Sequence, residues 1–338
     1  MKIIVDAMGG DNAPYAPIEA SVKACKDFDV EIVLVGKEDI IKAELQKYGE
    51  TDQRISIVNA EEVITNHEEP AKAVRAKKDA SVVVGANLLK KGEGDALLSM
   101  GNTGALLAAG LLIVGRIKGV SRPAIATLLP SEKGPVMLMD AGANTNCKSE
   151  NLLQFALMAG AYMKGVMGME NPTVGLLSNG EEEGKGNALA KDTFPILKAA
   201  KDVNFIGNVE GRDIMQGTSD IVVCDGFVGN VVLKTIEGMA SVIGKKLKGI
   251  FKQNIVTMIG ALCVGKGISD FKKSMDYREY GGAPLLGTKK PVIKGHGSSD
   301  AKAVYNAINQ AIKFAKTGIT EEISKLVAIG EENEESEC

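Results

Sequence analysis

The sequence predicts an α/β protein, an α/β/α sandwich around a mostly parallel, mixed sheet, with a protruding helical segment. Two observations carry that expectation. Apolar runs without polar alternation, among them IIVDAM from Ile3, ALLSM from Ala96 and TVGLLS from Thr173, have the pattern of strands buried on both faces, as in parallel sheets. Most of these runs lead into a segment of helical periodicity, and a repeated β-α order needs crossovers that lay helices on both faces of the sheet.

In chain order, strands at 3–7, 31–35 and 55–58 alternate with helices at 14–26 and 37–48. Pro14 and Pro17 fall in the first turn of the first helix, where a missing N–H costs little. A charged helical pattern over 68–91 is interrupted near 82–85. Strand 96–100 ends in GNTG, where Asn102 or Thr103 can cap the apolar helix that follows. Two runs between 123 and 140, AIATLLP and VMLMD, are separated only by SEKGP, the spacing of a hairpin, which makes the sheet mixed. Helix 149–163, strand 173–177, helix 187–201, strands 204–209 and 221–224, and a long helix from 227 to about 252 restore the alternation. There is no fixed-period repeat and no Pro- or Ser-rich linker, so 1–330 reads as a single large α/β domain and 331–338 as an acidic disordered tail.

The segment 245–275 departs from this pattern. Ile255, Met258, Ile259 and Leu262 lie at helical spacing between flanking lysines. The stripe suits a membrane surface, a dimer seam or an ordinary core face.

Composition narrows the function. Forty basic against 43 acidic residues give a net charge of -3, which supplies no field-scale attraction to nucleic acid. Aromatics are 4% and Trp is absent, so stacking platforms for single strands are missing. The start, MKIIVDAMGGD, has no long apolar core of a secretory signal, and a cytoplasmic location is expected. Cys25, Cys147, Cys224, Cys263 and Cys338 are widely spaced with no CxxC pair, and the chain has 2 histidines. Neither a disulfide framework nor a metal site is expected. The longest apolar stretches, 105–114 and 255–264, are short of the roughly 20 residues that span a bilayer.

Familiar nucleotide motifs fail. DAMGGDNAP lacks the third glycine of GxGxxG, and no acidic residue ends the second strand. GEEEGK has the wrong spacing for a Walker A loop. What recurs is six strand ends that open into loops of Gly, Asp, Asn or Ser: GGDNAP, GNTG, AGANTN, NGEEEGKGN, GFVGN and GHGSSD. Loops rich in free backbone N–H groups suit an anionic, oxygen-rich ligand, and six of them at one sheet edge imply a shared site. Asp6 and Asp140 at strand ends brace loops by accepting N–H bonds. Lys185, between two glycines, can reach an anion. His296 is likewise between glycines, with Ser298 and Ser299 following, whereas His67 beside two glutamates is expected to be inert.

The joint order of DAMGGDNAP, SMGNTGALLAAG, DAGANTNCKSENLLQFALMAGA, GLLSNGEEEGKGN, NFIGNVEGRDI, CDGFVGNVVLKTIEG and YGGAPLLG…IKGHGSSD resembles the PlsX-type phosphate acyltransferases of bacterial phospholipid synthesis, from Met1 to about Lys316. The resemblance implies a fold like the isocitrate/isopropylmalate dehydrogenase and phosphotransacetylase group and a homodimer. It implies transfer of an acyl group from acyl carrier protein to inorganic phosphate without a cofactor, the product feeding a membrane glycerol-3-phosphate acyltransferase. It gives the 245–273 segment weight as a membrane-facing projection, hence a cytoplasmic, peripherally membrane-associated enzyme. In that setting Lys185, His296 and Asn230 are the expected catalytic residues. Gly9, Gly10, Asn102, Thr103, Asn144, Asn179, Gly180, Asn187, Gly229 and Ser298 are expected to bind substrate or phosphate. Lys245, Lys246, Lys248 and Lys252 form a docking face for the acidic carrier or for lipid. Two other classes stay open: an NAD-dependent decarboxylating dehydrogenase of related fold, and a non-catalytic phosphometabolite-binding regulator.

Overall fold

The computed structural model describes residues 1–49, 52–268 and 281–336. Eleven strands among them form one sheet: β1 (Lys2–Asp6), β2 (Glu31–Gly36), β3 (Ile55–Asn59), β4 (Ala96–Ser99), β5 (Ala124–Leu129), β6 (Val136–Met139), β7 (Thr173–Leu177), β8 (Asn204–Val209), β9 (Ile221–Val223), β10 (Ala283–Leu286) and β11 (Val292–Lys294). Their spatial order is β3-β2-β1-β4-β11-β10-β5-β6-β9-β7-β8.

The sheet consists of two parallel blocks joined by reversals. β3, β2, β1, β4 and β11 run one way, and β6, β9, β7 and β8 are parallel to one another. Between them β10 is antiparallel to both β11 and β5, and β5 is antiparallel to β6. Three successive reversals leave the second block running opposite to the first, so the carboxyl ends of the two blocks open on opposite edges. The expectation of one shared edge for all six loops is therefore corrected. The expected hairpin gives one reversal; the other two come from β10, which was not among the expected strands because it is a four-residue run interrupted by Pro284, a residue that usually argues against a strand.

The helices are α1 (Tyr15–Asp27), α2 (Glu38–Leu45), α3 (Pro70–Ala76), α4 (Ser81–Lys91), α5 (Thr103–Ala109), α6 (Ser149–Gly165), α7 (Ala188–Ala199), α8 (Gly211–Gln216), α9 (Gly226–Phe251), α10 (Ile255–Cys263), α11 (Ala301–Lys316) and α12 (Ile319–Ser336). Alternate residues of β1 serve opposite layers. Ile3 and Val5 pack in a core with Phe155, Tyr162 and Ile308, and Ile4 packs in another with Val83, Leu97 and Leu106. Helices thus cover both faces, and each such fully buried side chain contributes about 1.5–3 kcal/mol. Gln310 of α11 donates to the Tyr162 hydroxyl (2.9 Å) and accepts from the Gly282 N–H (2.7 Å), tying both helices to the start of β10.

Two boundaries differ from expectation. The break in 68–91 falls at 77–80, not at 82–85. Val82, Val83 and Gly85 are buried in α4, where packing outweighs the weak helix propensity of valine and glycine. The acidic end, expected as a disordered tail, is helical backbone to Ser336. Ile319, Ile323 and Val327 dock α12 on the core, which stabilises a helix anchored there. Beyond α9, the short α10 has no buried residue. The remainder of the expected projection, from 269, lies outside the described residues.

Candidate active site

A cleft of about 700 Å³ opens at the carboxyl edge of the first block. Its rim is made of the loops after β1 (Met8 to Asp11), β4 (Met100 to Gly104) and β11 (Gly295 to Gly297), with Gly281 and Gly282 before β10. The cleft spreads over Ile125, Thr127 and Leu128 of β5 to Gly142, and α9 closes it with Asn230, Leu233, Lys234 and Glu237. Ile64, Leu107, Ile125, Leu128 and Leu233 form an apolar wall, while Lys234 and Lys294, with His296 beside them, make the other end polar and cationic through the two lysines. The volume is that of an ordinary small-molecule site.

Buried carboxylates hold the loops. Asp6 accepts from the Ser99 hydroxyl (2.6 Å) and the Met8 N–H (3.1 Å). Burial raises its pKa, opposed by hydrogen bonds from Ser99 and Ser81. Beside it the loops touch backbone to backbone: a Cβ on Gly9 would lie 2.6 Å from the Gly101 nitrogen. Gly10, at φ +96°, occupies a region that disfavours other residues. The Asp11 N–H donates to the Gly297 carbonyl (2.8 Å), joining the third loop. Asp140 accepts from the N–H groups of Ile125 (3.2 Å), Gly142 (3.0 Å), Ala143 (2.9 Å) and Asn144 (2.7 Å). Its pKa is also raised by burial and held back by these bonds. Both aspartates brace, as their positions predicted. α9 rests on the same loop, since a Cβ on Gly229 would sit 1.9 Å from the Asp140 carbonyl oxygen.

The structure divides the expected site residues. Gly9, Gly10, Asn102, Thr103, Asn230 and His296 line the 700 Å³ cleft. Asn179 and Asn187 line a separate cleft of about 350 Å³, with Asp225 and Cys224. Lys185 is an exposed side chain on the same loop and lines neither cleft. Gly229 and Asn144 lie at the junction, Asn144 donating to the Pro123 carbonyl and the Asp140 carboxylate (both 2.9 Å). Several asparagines have structural duties. Asn102 caps α5 through the Ala105 N–H (2.9 Å) and donates to the Thr65 carbonyl (3.0 Å). Asn187 caps α7 through Ala190, and Asn179 accepts from the Gly186 N–H (2.9 Å each). Asn230 is exposed and has no hydrogen-bond partner among the described residues, which leaves its amide for a ligand.

His296 Nδ1 accepts the Ser298 N–H (3.2 Å) and lies 2.8 Å from the Ser298 hydroxyl. This assigns the proton of the neutral ring to Nε2, which lies 3.9 Å from Glu237. Burial lowers the His296 pKa, Glu237 opposes, and Lys234 and Lys294 lower it further. Burial pushes the Cys147 thiol up to about 11 and Cys224 well above its ordinary value, so neither is poised as a thiolate nucleophile. Glu181, Glu210 and Asp213 cluster around Arg212, 2.8 Å from Glu210, an ion-paired surface group.

Sequence reasoning missed Lys294. It ends the apolar run PVIK and reads there as a strand terminator, although a lysine at the last strand position before a glycine loop was the available signal. Its ammonium donates to the carbonyls of Met100 (3.3 Å) and Gly295. Burial pulls its pKa down to about 8; Asp6 opposes, Lys234 adds to the fall, and Asp11 opposes. Glu237 was missed too. It pairs with Lys234 at 2.7 Å and so faces the cleft from α9.

A family profile described as "Fatty acid synthesis protein" matches residues 1–322. The phosphate acyltransferase of Thermoanaerobacter pseudethanolicus is 52% identical over 98% of this chain and 99% of its own length. The phosphate acyltransferase of Clostridioides difficile is 47% identical over 100% and 99%. The chain belongs to the phosphate acyltransferase family. Among solved structures, a phosphotransacetylase from Streptococcus pyogenes superposes with a TM-score of 0.61 at 17% identity, covering 93% of this chain and 94% of that one. A branched-chain phosphotransacylase from Enterococcus faecalis gives 0.56 at 16%, covering 94% and 99%. At that identity the likeness is one of fold, and it extends over almost the whole of this phosphate acyltransferase family member.

Proposed function

We propose that the chain transfers a fatty acyl group from the thioester of an acyl carrier protein to inorganic phosphate, releasing acyl phosphate and the free carrier thiol for phospholipid synthesis. The observation that carries this reading is the 700 Å³ cleft with an apolar wall facing a cationic end, in a chain of the phosphate acyltransferase family. An acyl chain and an anion need that pairing of surfaces. A dehydrogenase reading gains nothing from relatives named phosphate acyltransferase.

The chemistry asks little beyond positioning. Monohydrogen phosphate attacks the thioester carbon; the C–O bond forms, the C–S bond breaks, and the phosphate proton passes to the departing sulfur. Neither a covalent enzyme intermediate nor a cofactor is needed. The protein's work is to align phosphate with the carbonyl and stabilise the developing oxyanion. Asn230, with its uncommitted amide, suits the oxyanion. His296, neutral near pH 7 with its proton on Nε2, suits a hydrogen bond to phosphate better than a role as cationic acid. The Gly10 N–H adds a donor at the rim, while that of Gly9 is engaged by the Asp6 carboxylate. Lys185 has no carboxylate partner among the described residues and sits on an exposed glycine loop, so it acts by reaching in once the carrier is seated.

Product delivery falls to α9 and α10. α9 is long and apolar enough to cross a bilayer by length and composition, but its first turn is fixed on the Asp140 loop and its next turns line the cleft. Its exposed Met239, Val242, Ile243 and Ile250, with Ile255 (75% exposed), Met258, Ile259 and Leu262 (82%) of α10, form an apolar surface. It suits a second copy of the chain at α9 and a headgroup layer at α10. Lys245, Lys246, Lys248 and Lys252 add attraction for anionic lipid or for an acidic carrier. A variant with Ile255 and Ile259 changed to Asp is expected to lose flotation with anionic vesicles while keeping soluble turnover; a raised carrier KM with intact flotation would move the surface to carrier docking. The reaction itself is tested by trapping acyl phosphate with hydroxylamine while phosphate is varied. Hydroxamate should rise and saturate with phosphate, and thioester loss independent of phosphate would refute the proposal.

A further inference from the structure

Lys294 makes no contact ion pair among the described residues. No carboxylate lies within 4.0 Å of its ammonium among the described residues, where its partners are two carbonyls, those of Met100 and Gly295. The charged groups facing it make their contacts elsewhere. Asp6 at the end of β1 attracts it only through space, its hydrogen bonds coming from the Ser99 hydroxyl and the Met8 N–H. Asp11 acts on it only at longer range, and Lys234 of α9 repels it. Glu237 is taken by Lys234 and lies nearest His296 of the other groups. A half-buried ammonium with unspent bonding capacity is costly unless something anionic completes it. Here the ammonium lines a ligand cleft, and the third N–H has no protein partner among the described residues.

We propose that Lys294 is the residue that holds the attacking inorganic phosphate, its ammonium supplying the charge-assisted hydrogen bond and the carbonyls of Met100 and Gly295 fixing its direction. This deepens the function proposed above and rests on it. A phosphate seated there lies on the polar side of the cleft, across from the apolar wall that takes the acyl chain. The division also separates two jobs: Lys294 governs phosphate binding, whereas groups that come in with the carrier govern turnover.

Charge gives the signature. A lysine brought to about 8 by burial is an ammonium below that pH and loses its proton above it. Affinity for the monohydrogen phosphate ion, corrected for phosphate's own titration near neutrality, should therefore be level to about pH 8 and decline by up to about tenfold per pH unit beyond it. Arginine stays charged throughout, so Lys294→Arg should move that decline to higher pH. Lys294→Met should raise the phosphate KM by about 10- to 100-fold, the loss of one hydrogen bond to a charged group, with the carrier KM changed less than about twofold.

The experiment measures phosphate KM and carrier KM for wild type, Lys294→Met and Lys294→Arg between about pH 7 and 9.5, alongside phosphorus-31 line broadening of inorganic phosphate by each protein without thioester. A selective phosphate defect in the Met variant, with rescue by Arg and a shifted alkaline limb, supports the proposal. An unchanged phosphate KM in Lys294→Met, or a wild-type phosphate affinity that stays level across the whole range, overturns it. If Lys294→Met does not fold, the wild-type pH profile decides by itself. If phosphate binds in a Lys294-dependent way but no acyl phosphate forms, the binding role stands and the reaction is what fails.

Discussion

The two clefts are bordered by the same kind of loop, short and rich in glycine and asparagine, yet their surroundings differ. The 700 Å³ cleft has lysines, a histidine and an apolar wall. The 350 Å³ cleft has Asp225 as its charged lining residue, and its asparagines are occupied by an N-cap and a loop bond. A glycine loop at a strand end therefore supplies donors and room, and the cations and apolar surface brought by remote elements make it a site. The start of α9 stands between the clefts, its capping residue Asp225 and Val228 lining one and Asn230, Leu233, Lys234 and Glu237 the other.

The largest expected effect comes from breaking that partition. Gly229→Ala puts a methyl group 1.9 Å from the Asp140 carbonyl oxygen, a backbone contact that cannot yield like a side chain. We expect a loss of about 3 kcal/mol or more in denaturant unfolding, with both clefts disturbed; a wild-type midpoint would mean that α9 does not rest on that loop.

Next comes a contrast of cations. Lys185→Ala should lower kcat by about tenfold and leave the phosphate KM unchanged, consistent with the loss of a charge-assisted bond made during turnover. A raised phosphate KM would instead place phosphate against the exposed loop and dissolve the distinction between the two lysines.

The apolar wall is tested by Leu107→Trp, which fills part of the space lined by Leu107, Ile125 and Leu128. Competition between sixteen- and eight-carbon thioesters should shift towards the shorter, by roughly fourfold for each methylene displaced. An unaltered preference would put the acyl chain elsewhere. The smallest effect belongs to Asn187→Ala, which removes a helix cap from the smaller cleft. It should cost about 1 kcal/mol of stability with turnover within about twofold, and a large loss of turnover would make that cleft part of the reaction.

Much of the fold was legible because parallel strands announce themselves: runs such as IIVD and TVGLL need no partner in sequence to be read as buried. β10 was not legible, since APLL is short and carries a proline, and its pairing with β11 and β5 is set by tertiary register. The direction of the second block follows from the same long-range pairings, which no local pattern encodes. At the site, Asp6 and Asp140 were readable as braces because a carboxylate beside a glycine turn has N–H groups within reach. Lys294 was hidden by its place at the end of an apolar run. What distinguishes it is a buried ammonium bonded to two carbonyls with no carboxylate in contact among the described residues, a property of the packed molecule.

The central claim is that phosphate is the acyl acceptor in the 700 Å³ cleft. Phosphorus-31 NMR of the enzyme with acyl carrier thioester and inorganic phosphate, read beside titration of the released carrier thiol, tests it most directly. The account predicts that acyl phosphate and thiol appear in equal amounts and that Lys294→Met slows both together at limiting phosphate. Thiol released without acyl phosphate, or acyl phosphate formed as fast by Lys294→Met at limiting phosphate, would contradict it.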